Sequence, residues 1–175
     1  MLRIIHVVLI GCLLLAGTAS AEQMIKVGSG EARYLGFIKV YEAELYADRL
    51  EDRADILQPD VSKCLKLTYE VALKPEDFIK GASVVLSRQF PDEQLDSITP
   101  QIDALHSAYV GVEPGDFYEL CYDAASARTS LSLNERELVS IQSEQFGNAY
   151  LGIWLSDNQP LSRALQQDLV GAGTP

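Results

Sequence analysis

The hydrophobic and polar positions change periodicity along the chain, and these changes outline its secondary structure. Between residues 65 and 71, apolar and polar side chains alternate strictly, which predicts a half-buried strand. Other segments rich in β-branched and aromatic residues predict strands over residues 24–27, 34–46, 117–122, 129–133 and 138–141, with turns at residues 28–30 and at Asn134.

Helical spacing dominates elsewhere. Pro75 and the two acidic residues after it suit the first turn of a helix, because proline's missing N–H costs nothing there and carboxylates complement the dipole. A second helix is predicted after this one from apolar residues at three- and four-residue spacing. Pro100 lies within it and is expected to kink the helix or to restart it with Thr99 as cap. Ser143 can cap a third helix, and a final helix is predicted over residues 162–170.

The order of these elements is strands, two helices, strands and two more helices. This order differs from the strand–helix alternation of a parallel sheet, so it predicts an α+β fold with a large, mainly antiparallel sheet. The sequence contains no internal repeat and no low-complexity linker, which indicates one continuous domain.

The first 21 residues have the three parts of a secretory signal peptide. A positive charge precedes an apolar run of about 12 residues, and small residues form a cleavage site before Glu22. The run is shorter than the roughly 20 residues of a membrane span, so an uncleaved anchor and lipidation at Cys12 are the less favoured alternatives. We expect a periplasmic or secreted protein with a domain at residues 22–170 and a flexible tail at residues 171–175.

Removing residues 1–21 leaves 154 residues with a net charge of −12, because this segment carries one basic and no acidic residue. So negative a surface argues against nucleic acid or an anionic membrane as the main partner. No later apolar run approaches the length of a membrane span, so stable insertion after cleavage is not expected. The charge leaves a small ligand or a protein partner open.

Two cysteines remain after cleavage, Cys64 and Cys121, both in predicted strands. In an oxidising compartment they can form a disulfide, which would add about 4 kcal/mol for a loop of this length. Two buried thiols are the alternative, because cysteine also packs well as a small apolar residue.

The sequence excludes several classes of chemistry. The exported domain has one histidine, His106, and no nucleophile motif accompanies it, so we expect it to pack at a helix flank. The glycines at residues 28–30 begin like a dinucleotide fingerprint, but Arg33 stands in place of the third glycine and a strand follows. The acidic residues lack the spacing of a metal site, and no cofactor is expected.

Arg33 follows the glycines and precedes an apolar, aromatic strand. One interpretation is a surface arginine that pairs with Glu31 or with another of the many acids. The other is an arginine at the mouth of an apolar pocket, where its guanidinium holds a carboxylate or stabilises an oxyanion. Spacing alone leaves both interpretations open.

Several short segments share their order and spacing with a known family. They are Gly28-Ser29-Gly30-Glu31-Ala32-Arg33, Lys39-Val40-Tyr41, Leu45-Tyr46, Leu131-Ser132-Leu133-Asn134, Ile153-Trp154-Leu155-Ser156-Asp157 and Pro160-Leu161-Ser162. Together they resemble the chalcone isomerase-like family, and its exported bacterial members most of all. The resemblance implies an open-faced β-sandwich, in which helices pack on one face of a large antiparallel sheet and a ligand cleft lies between them.

Catalytic members of that family cyclise chalcones with an arginine, a threonine, a tyrosine and an asparagine. Arg33 matches the arginine. Tyr41, Phe78 and Val85 occupy the positions of the other three. Phe78 and Val85 offer no hydrogen-bond donor, and losing one such donor typically costs about 100- to 1000-fold in rate. The resemblance therefore implies a member of the non-catalytic type.

The leading hypothesis is an exported binding protein for an amphipathic small molecule such as a fatty acid, since non-enzymatic relatives are associated with fatty acids. Arg33 would pair with the carboxylate, and Tyr41, Phe78 and Val85 would line the cavity. An isomerase or intramolecular lyase acting on an enone, with Arg33 as electrophile and Tyr41 as donor, is one alternative. A cell-envelope interaction module, with its cleft closed by Phe37, Tyr41 and Phe78, is the other.

Overall fold

The computed structural model describes residues 24–48 and 56–171. Within these residues, six strands form one antiparallel sheet with helices packed on one face, which confirms the predicted fold class. The predicted signal peptide and residues 172–175 of the predicted tail lie outside the described residues. Part of the acidic segment between the second and third strands, residues 49–55, does as well.

The strands are neighbours in the sheet in the same order as in the chain, and every neighbouring pair is antiparallel. They are β1 (Ile25–Tyr34), β2 (Ile38–Ala47), β3 (Lys63–Tyr69), β4 (Phe117–Asp123), β5 (Arg128–Leu133) and β6 (Arg136–Gln142). The helices are α1 (Pro75–Gln89), α2 (Asp92–Ala108), α3 (Glu144–Leu155) and α4 (Arg163–Gln166), and a π-helical turn at Gln167–Gly171 follows α4. None of the helices in the described part of the chain is long and apolar enough to cross a membrane.

The core lies between the sheet and the helices. Alternate residues of β2 to β4 are buried on the helical side, while the residues between them are at least partly exposed, as the period of a half-buried strand requires. Nine of the twelve residues of α3 are buried, so this helix forms the centre of the helical layer. Ser143 caps it as predicted, because its hydroxyl accepts a hydrogen bond from the backbone N–H of Phe146 at 3.2 Å.

The turn predicted at residues 28–30 is wrong, since β1 runs through all three residues. A side chain at Gly28 would collide with the backbone carbonyl of Leu169, and one at Gly30 would collide with Asp168. The two glycines therefore allow the π-helical turn to approach β1 closely. The first hairpin turns instead at residues 35–37, between β1 and β2.

The second helix does not restart at Pro100. It is continuous from Asp92 to Ala108, and the hydroxyl of Thr99 donates to the carbonyl of Leu95 at 3.0 Å instead of capping a new helix. Because proline lacks an N–H, one backbone hydrogen bond is absent at this point of the helix.

The two central strands are joined by a covalent link. β3 and β4 place Cys64 directly opposite Cys121, and the structure connects the two sulfur atoms in a disulfide. Both side chains lie on the sheet face away from the helices, because their neighbours Leu65 and Leu120 are buried on the helical side.

Candidate functional site

A cavity of about 180 Å³ lies between the helical side of the sheet and the helices. Its strand wall is formed by Tyr41, Leu67, Tyr69, Tyr118, Leu120 and Leu131. Its helical wall is formed by Asp77, Phe78, Gly81, Ala82, Ile153 and Trp154. Connecting segments supply Leu73, Tyr109 and Leu161. The lining is thus almost entirely apolar and aromatic, as is usual for a small-molecule site.

The volume limits what the cavity can enclose. An engineered protein cavity of about 150 Å³ holds benzene, whereas sites for drug-sized ligands start at about 300 Å³. The cavity therefore encloses a body of roughly seven or eight non-hydrogen atoms. Asp77 and Leu161 are lining residues that are also solvent-exposed, so they mark its opening. Gly81 also lines it, and apart from its chain neighbours and the backbone of its own helix no atom lies within 4 Å of the position that a Cβ would take there.

Aromatic rings form a continuous cluster at the strand wall. The ring centroid of Tyr69 is 5.6 Å from that of Tyr41, 5.5 Å from that of Phe78 and 6.0 Å from that of Tyr118, and all three contacts are edge-on. Phe78 also stacks on Tyr109 at 5.0 Å. Such pairs stabilise the fold by about 0.5–1.5 kcal/mol each beyond their buried area, so these contacts help to hold this side of the cavity together.

Two tyrosine hydroxyls of the cluster are engaged within the protein. The hydroxyl of Tyr118 donates to the carbonyl of Val110 at 2.8 Å and accepts from the N–H of the same residue at 3.0 Å. The hydroxyls of Tyr109 and Tyr150 share a hydrogen bond of 3.0 Å. The hydrogen-bonding capacity of these hydroxyls is therefore used within the protein.

The hydroxyls of Tyr41 and Tyr69 remain able to donate. Tyr41 accepts a hydrogen bond of 2.9 Å from Nε1 of Trp154, and its own proton has no acceptor among the described residues. The Tyr69 side chain is only 3% exposed, yet its hydroxyl has no hydrogen-bond partner in the part of the chain that the structure describes. The two residues are direct cross-strand neighbours of β2 and β3, so one wall of the cavity presents both donors.

The protonation state of these tyrosines follows from their burial. Burial raises the pKa of Tyr41 to about 12, and the hydrogen bond from Trp154 offsets part of that effect. Burial also holds the pKa of Tyr69 well above the usual value, and the neighbouring tyrosines add to this. Both hydroxyls therefore stay neutral at physiological pH, where they act as hydrogen-bond donors and not as bases.

The structure does not bring Arg33 to this cavity. Its guanidinium pairs with the carboxylate of Glu31 at 2.5 Å and also donates to the carbonyl of Phe37 at 3.4 Å. Ala32 between them is buried on the helical side, so Arg33 and Glu31 lie on the opposite face of the sheet. The Arg33 side chain is 46% exposed, which is the surface arrangement and not the pocket arrangement.

Two of the other predicted site residues do line the cavity, namely Tyr41 and Phe78. Val85 lies on the buried face of α1 but is not part of the lining. Phe37, the third residue of the closed-cleft alternative, is 70% exposed at the tip of the first hairpin. Phe37 therefore does not help to close the cavity, contrary to the interaction-module hypothesis.

A family model described as chalcone isomerase-like matches residues 18–171. The chain belongs to the chalcone isomerase-like family. Comparison with solved structures finds a fatty-acid binding protein of Arabidopsis thaliana, with a TM-score of 0.65, 15% sequence identity and coverage of 85% of this chain and 87% of that one. At this level of identity the similarity shows a shared fold. Comparison with curated proteins finds no significant match.

In this member of the chalcone isomerase-like family, sequence reasoning missed Tyr69, Tyr118, Trp154 and Gly81 as cavity residues. The alternation of β3 placed Tyr69 on the buried face, and helical spacing placed Trp154 on a buried stripe. These signals indicate burial. They do not indicate which buried side chains border an unfilled space, because that depends on the shapes of all the elements around it.

His106 packs at the flank of α2, as the sequence predicted. The ring of His106 packs against Tyr109 and Tyr150, and its Nε2 is buried without a hydrogen-bond partner among the described residues. Burial lowers the pKa of His106, which favours the neutral ring. Within residues 24–48 and 56–171, no three His, Cys, Asp or Glu side chains are grouped so that they could hold a metal ion.

Proposed function

We propose that this chain is a non-catalytic, exported member of the chalcone isomerase-like family that binds a small amphipathic molecule, of the kind exemplified by a fatty acid. The observation that carries the proposal is the cavity of about 180 Å³, which is apolar on nearly all sides and has two tyrosine donors on one wall. Apolar walls with a few placed polar groups are what a binding site for such a molecule requires. The related fold of a plant fatty-acid binding protein supports the same proposal.

The non-catalytic part of the proposal rests on what the cavity lining contains. The family resemblance places Phe78 at the position of the catalytic tyrosine and Val85 at the position of the catalytic asparagine. Tyr41 and Tyr69 are neutral donors with raised pKa values, so neither can take a proton from a substrate near neutral pH. Among the described residues, the lining contains no histidine, lysine or arginine.

The export part of the proposal rests on residues 1–21, whose charge, apolar run and small-residue site are those of a signal peptide. A disulfide between Cys64 and Cys121 is the chemistry expected of an oxidising compartment. The intact mass of the protein recovered from the periplasm or medium of an expressing bacterium tests this part. We expect the mass of a chain that begins at Glu22. Full-length protein retained in the cell would contradict export.

The ligand part is tested by extracting small molecules from purified protein with organic solvent and identifying them by mass spectrometry. Gly81→Leu is expected to fill part of the cavity, because Gly81 is a lining residue and the space around its Cβ position is open. Ser83→Leu is the matched control, since residue 83 lies on the exposed side of the same helix.

We expect the wild type and Ser83→Leu to carry a small amphipathic molecule and Gly81→Leu to lose it. Protein that is empty in all three forms, and that binds no fatty acid or related compound at micromolar concentration, would contradict the proposal. Turnover of a chalcone that is lost in Gly81→Leu would instead establish the isomerase alternative.

A further inference from the structure

The charges around the cavity are unfavourable for an anion. Among the described residues, Asp77 is the one charged residue in the lining, and its carboxylate accepts a hydrogen bond of 2.9 Å from the backbone N–H of Lys74. It therefore caps the N-terminus of α1 and offsets the positive end of the helix dipole near the opening. A ligand carboxylate at this opening would lie near the negative charge of Asp77. Among the described residues, the lining has no cation to balance that charge.

The basic residues at this end of β1 and β2 are engaged on the other face of the sheet. Arg33 pairs with Glu31. Lys39 pairs with the same carboxylate at 3.2 Å and is also within 3.4 Å of Glu42 and 3.3 Å of Glu70. Three acids thus surround two bases, so this network has no positive charge to offer a ligand on the helical side.

The polar groups that the cavity does offer are neutral donors. Tyr69 is only 3% exposed, and its hydroxyl makes no hydrogen bond with another described residue, so the hydroxyl is available to a ligand. Tyr41 lies directly opposite Tyr69 on the neighbouring strand, and the proton of its hydroxyl is also free to bind a ligand. A ligand oxygen that accepts from both would satisfy them without bringing a charge into an apolar site.

We propose that the cavity selects a ligand with an uncharged hydrogen-bond acceptor as its head group, such as a ketone, an alcohol or a protonated carboxylic acid. The hydroxyls of Tyr69 and Tyr41 bind this head group, and the apolar walls enclose a body of about seven or eight non-hydrogen atoms. This inference rests on the proposed binding function, and it replaces an ion pair with Arg33 by hydrogen bonds from two tyrosines.

The test compares two probes of equal chain length, 2-octanone and octanoic acid, by calorimetric titration of the full exported protein at pH 5.5 and pH 7.5. The ketone does not ionise, so its affinity is expected to agree within about twofold at the two pH values. Octanoic acid, with an ordinary carboxyl pKa between about 4 and 5, would bind only in its protonated form. Its affinity is therefore expected to fall nearly a hundredfold, about tenfold for each pH unit above that pKa.

Three variants distinguish binding by the two tyrosines from binding elsewhere on the protein. Tyr69→Phe is expected to weaken 2-octanone by about five- to tenfold, because one hydrogen bond is lost. Tyr46→Phe removes a hydroxyl from the opposite face of the sheet and is expected to change nothing. Arg33→Ala is also expected to leave both probes unaffected.

Octanoic acid that binds equally well at both pH values, or that loses affinity in Arg33→Ala, would overturn the inference while leaving the binding function intact. Ketone binding that Tyr69→Phe does not weaken would also overturn it. If neither probe binds at either pH, both the inference and the proposed function fail. The comparison of the two probes in the wild type needs no variant, so it stands even if Tyr69→Phe does not fold.

Discussion

The indole Nε1 of Trp154 donates a hydrogen bond to the hydroxyl of Tyr41 at 2.9 Å, which joins α3 to β2 at the wall of the cavity. Tyr41→Phe removes the acceptor and leaves the buried N–H of Trp154 unpaired. We expect the free energy of unfolding to fall by about 1–3 kcal/mol, as measured by urea denaturation. Tyr46→Phe on the open face should change it by less than about 0.5 kcal/mol, and equal effects of the two variants would contradict this assignment.

The turn of the first hairpin is built on an unfavourable residue. Leu35 and Gly36 both have positive φ angles, 52° and 77°, and the N–H of Phe37 donates to the carbonyl of Tyr34 at 3.3 Å. These are features of a type I′ turn, which favours Asn-Gly at its two central positions. Leucine is strained there and is 68% exposed, so it gains little by burial.

Leu35→Asn is therefore expected to raise the free energy of unfolding by about 1 kcal/mol. The urea midpoint should increase with an unchanged slope. Phe37→Asn is the matched control, because residue 37 does not have a positive φ and should gain nothing. A similar gain in both variants would show that removal of apolar surface, and not turn geometry, is responsible.

Lys63 is expected to make the free energy of unfolding depend on pH in the alkaline range. It is fully buried, donates to the carbonyls of Gln58 and Val61 at 2.9 and 3.0 Å, and its amino group lies 4.7 Å from the ring centre of Tyr122. Burial lowers the pKa of Lys63 to about 8, and the charges of Asp48 and Asp60 oppose this only in part. Between pH 8 and about 10 the unfolded chain therefore binds more protons than the folded one, so the free energy of unfolding should rise with pH.

Lys63→Met is expected to flatten the stability profile over that interval, whereas Lys66→Met on the open face should retain the rise. The measurement should stop near pH 10, because the buried tyrosines have raised pKa values and reverse the trend above it. An identical rise in wild type and Lys63→Met would assign the effect to another group.

The bond between Cys64 and Cys121 closes a sequence separation of 57 residues. In the exported protein, thiol titration after denaturation without reductant is expected to find no free thiol. The double variant Cys64→Ala and Cys121→Ala should lose about 4 kcal/mol, because the unfolded chain regains the entropy of the open loop. Two free thiols in the denatured protein would contradict the disulfide.

The fold followed from local patterns, since strand alternation, the proline at the start of α1 and the Ser143 cap each act within a few residues. The position of Arg33 could not be predicted from such local patterns. Its face of the sheet depends on the register of β1 against β2, which shifts between Ala32 and Arg33. Glu31, two residues earlier on the same face, then determines its partner.

The cavity itself could not be read from the sequence for a related reason. Residue 81 is a glycine in the middle of a helix, which by itself indicates only a local loss of stability. Its role becomes visible only in the folded chain, where Gly81 lines the same cavity as Tyr41 and Tyr69. The glycines of β1 show the opposite case, where the same residue type permits close packing against Leu169.

Trp154 is the only tryptophan of the chain and lines the cavity, so its fluorescence reports directly on occupancy. Titration of the ligand-free exported protein with 2-octanone should produce a saturable change in emission. The change should be retained in Ser83→Leu and reduced at least tenfold in apparent affinity in Gly81→Leu. No saturable change in the wild type, or an equal change in Gly81→Leu, would contradict the central claim that this cavity is a ligand-binding site.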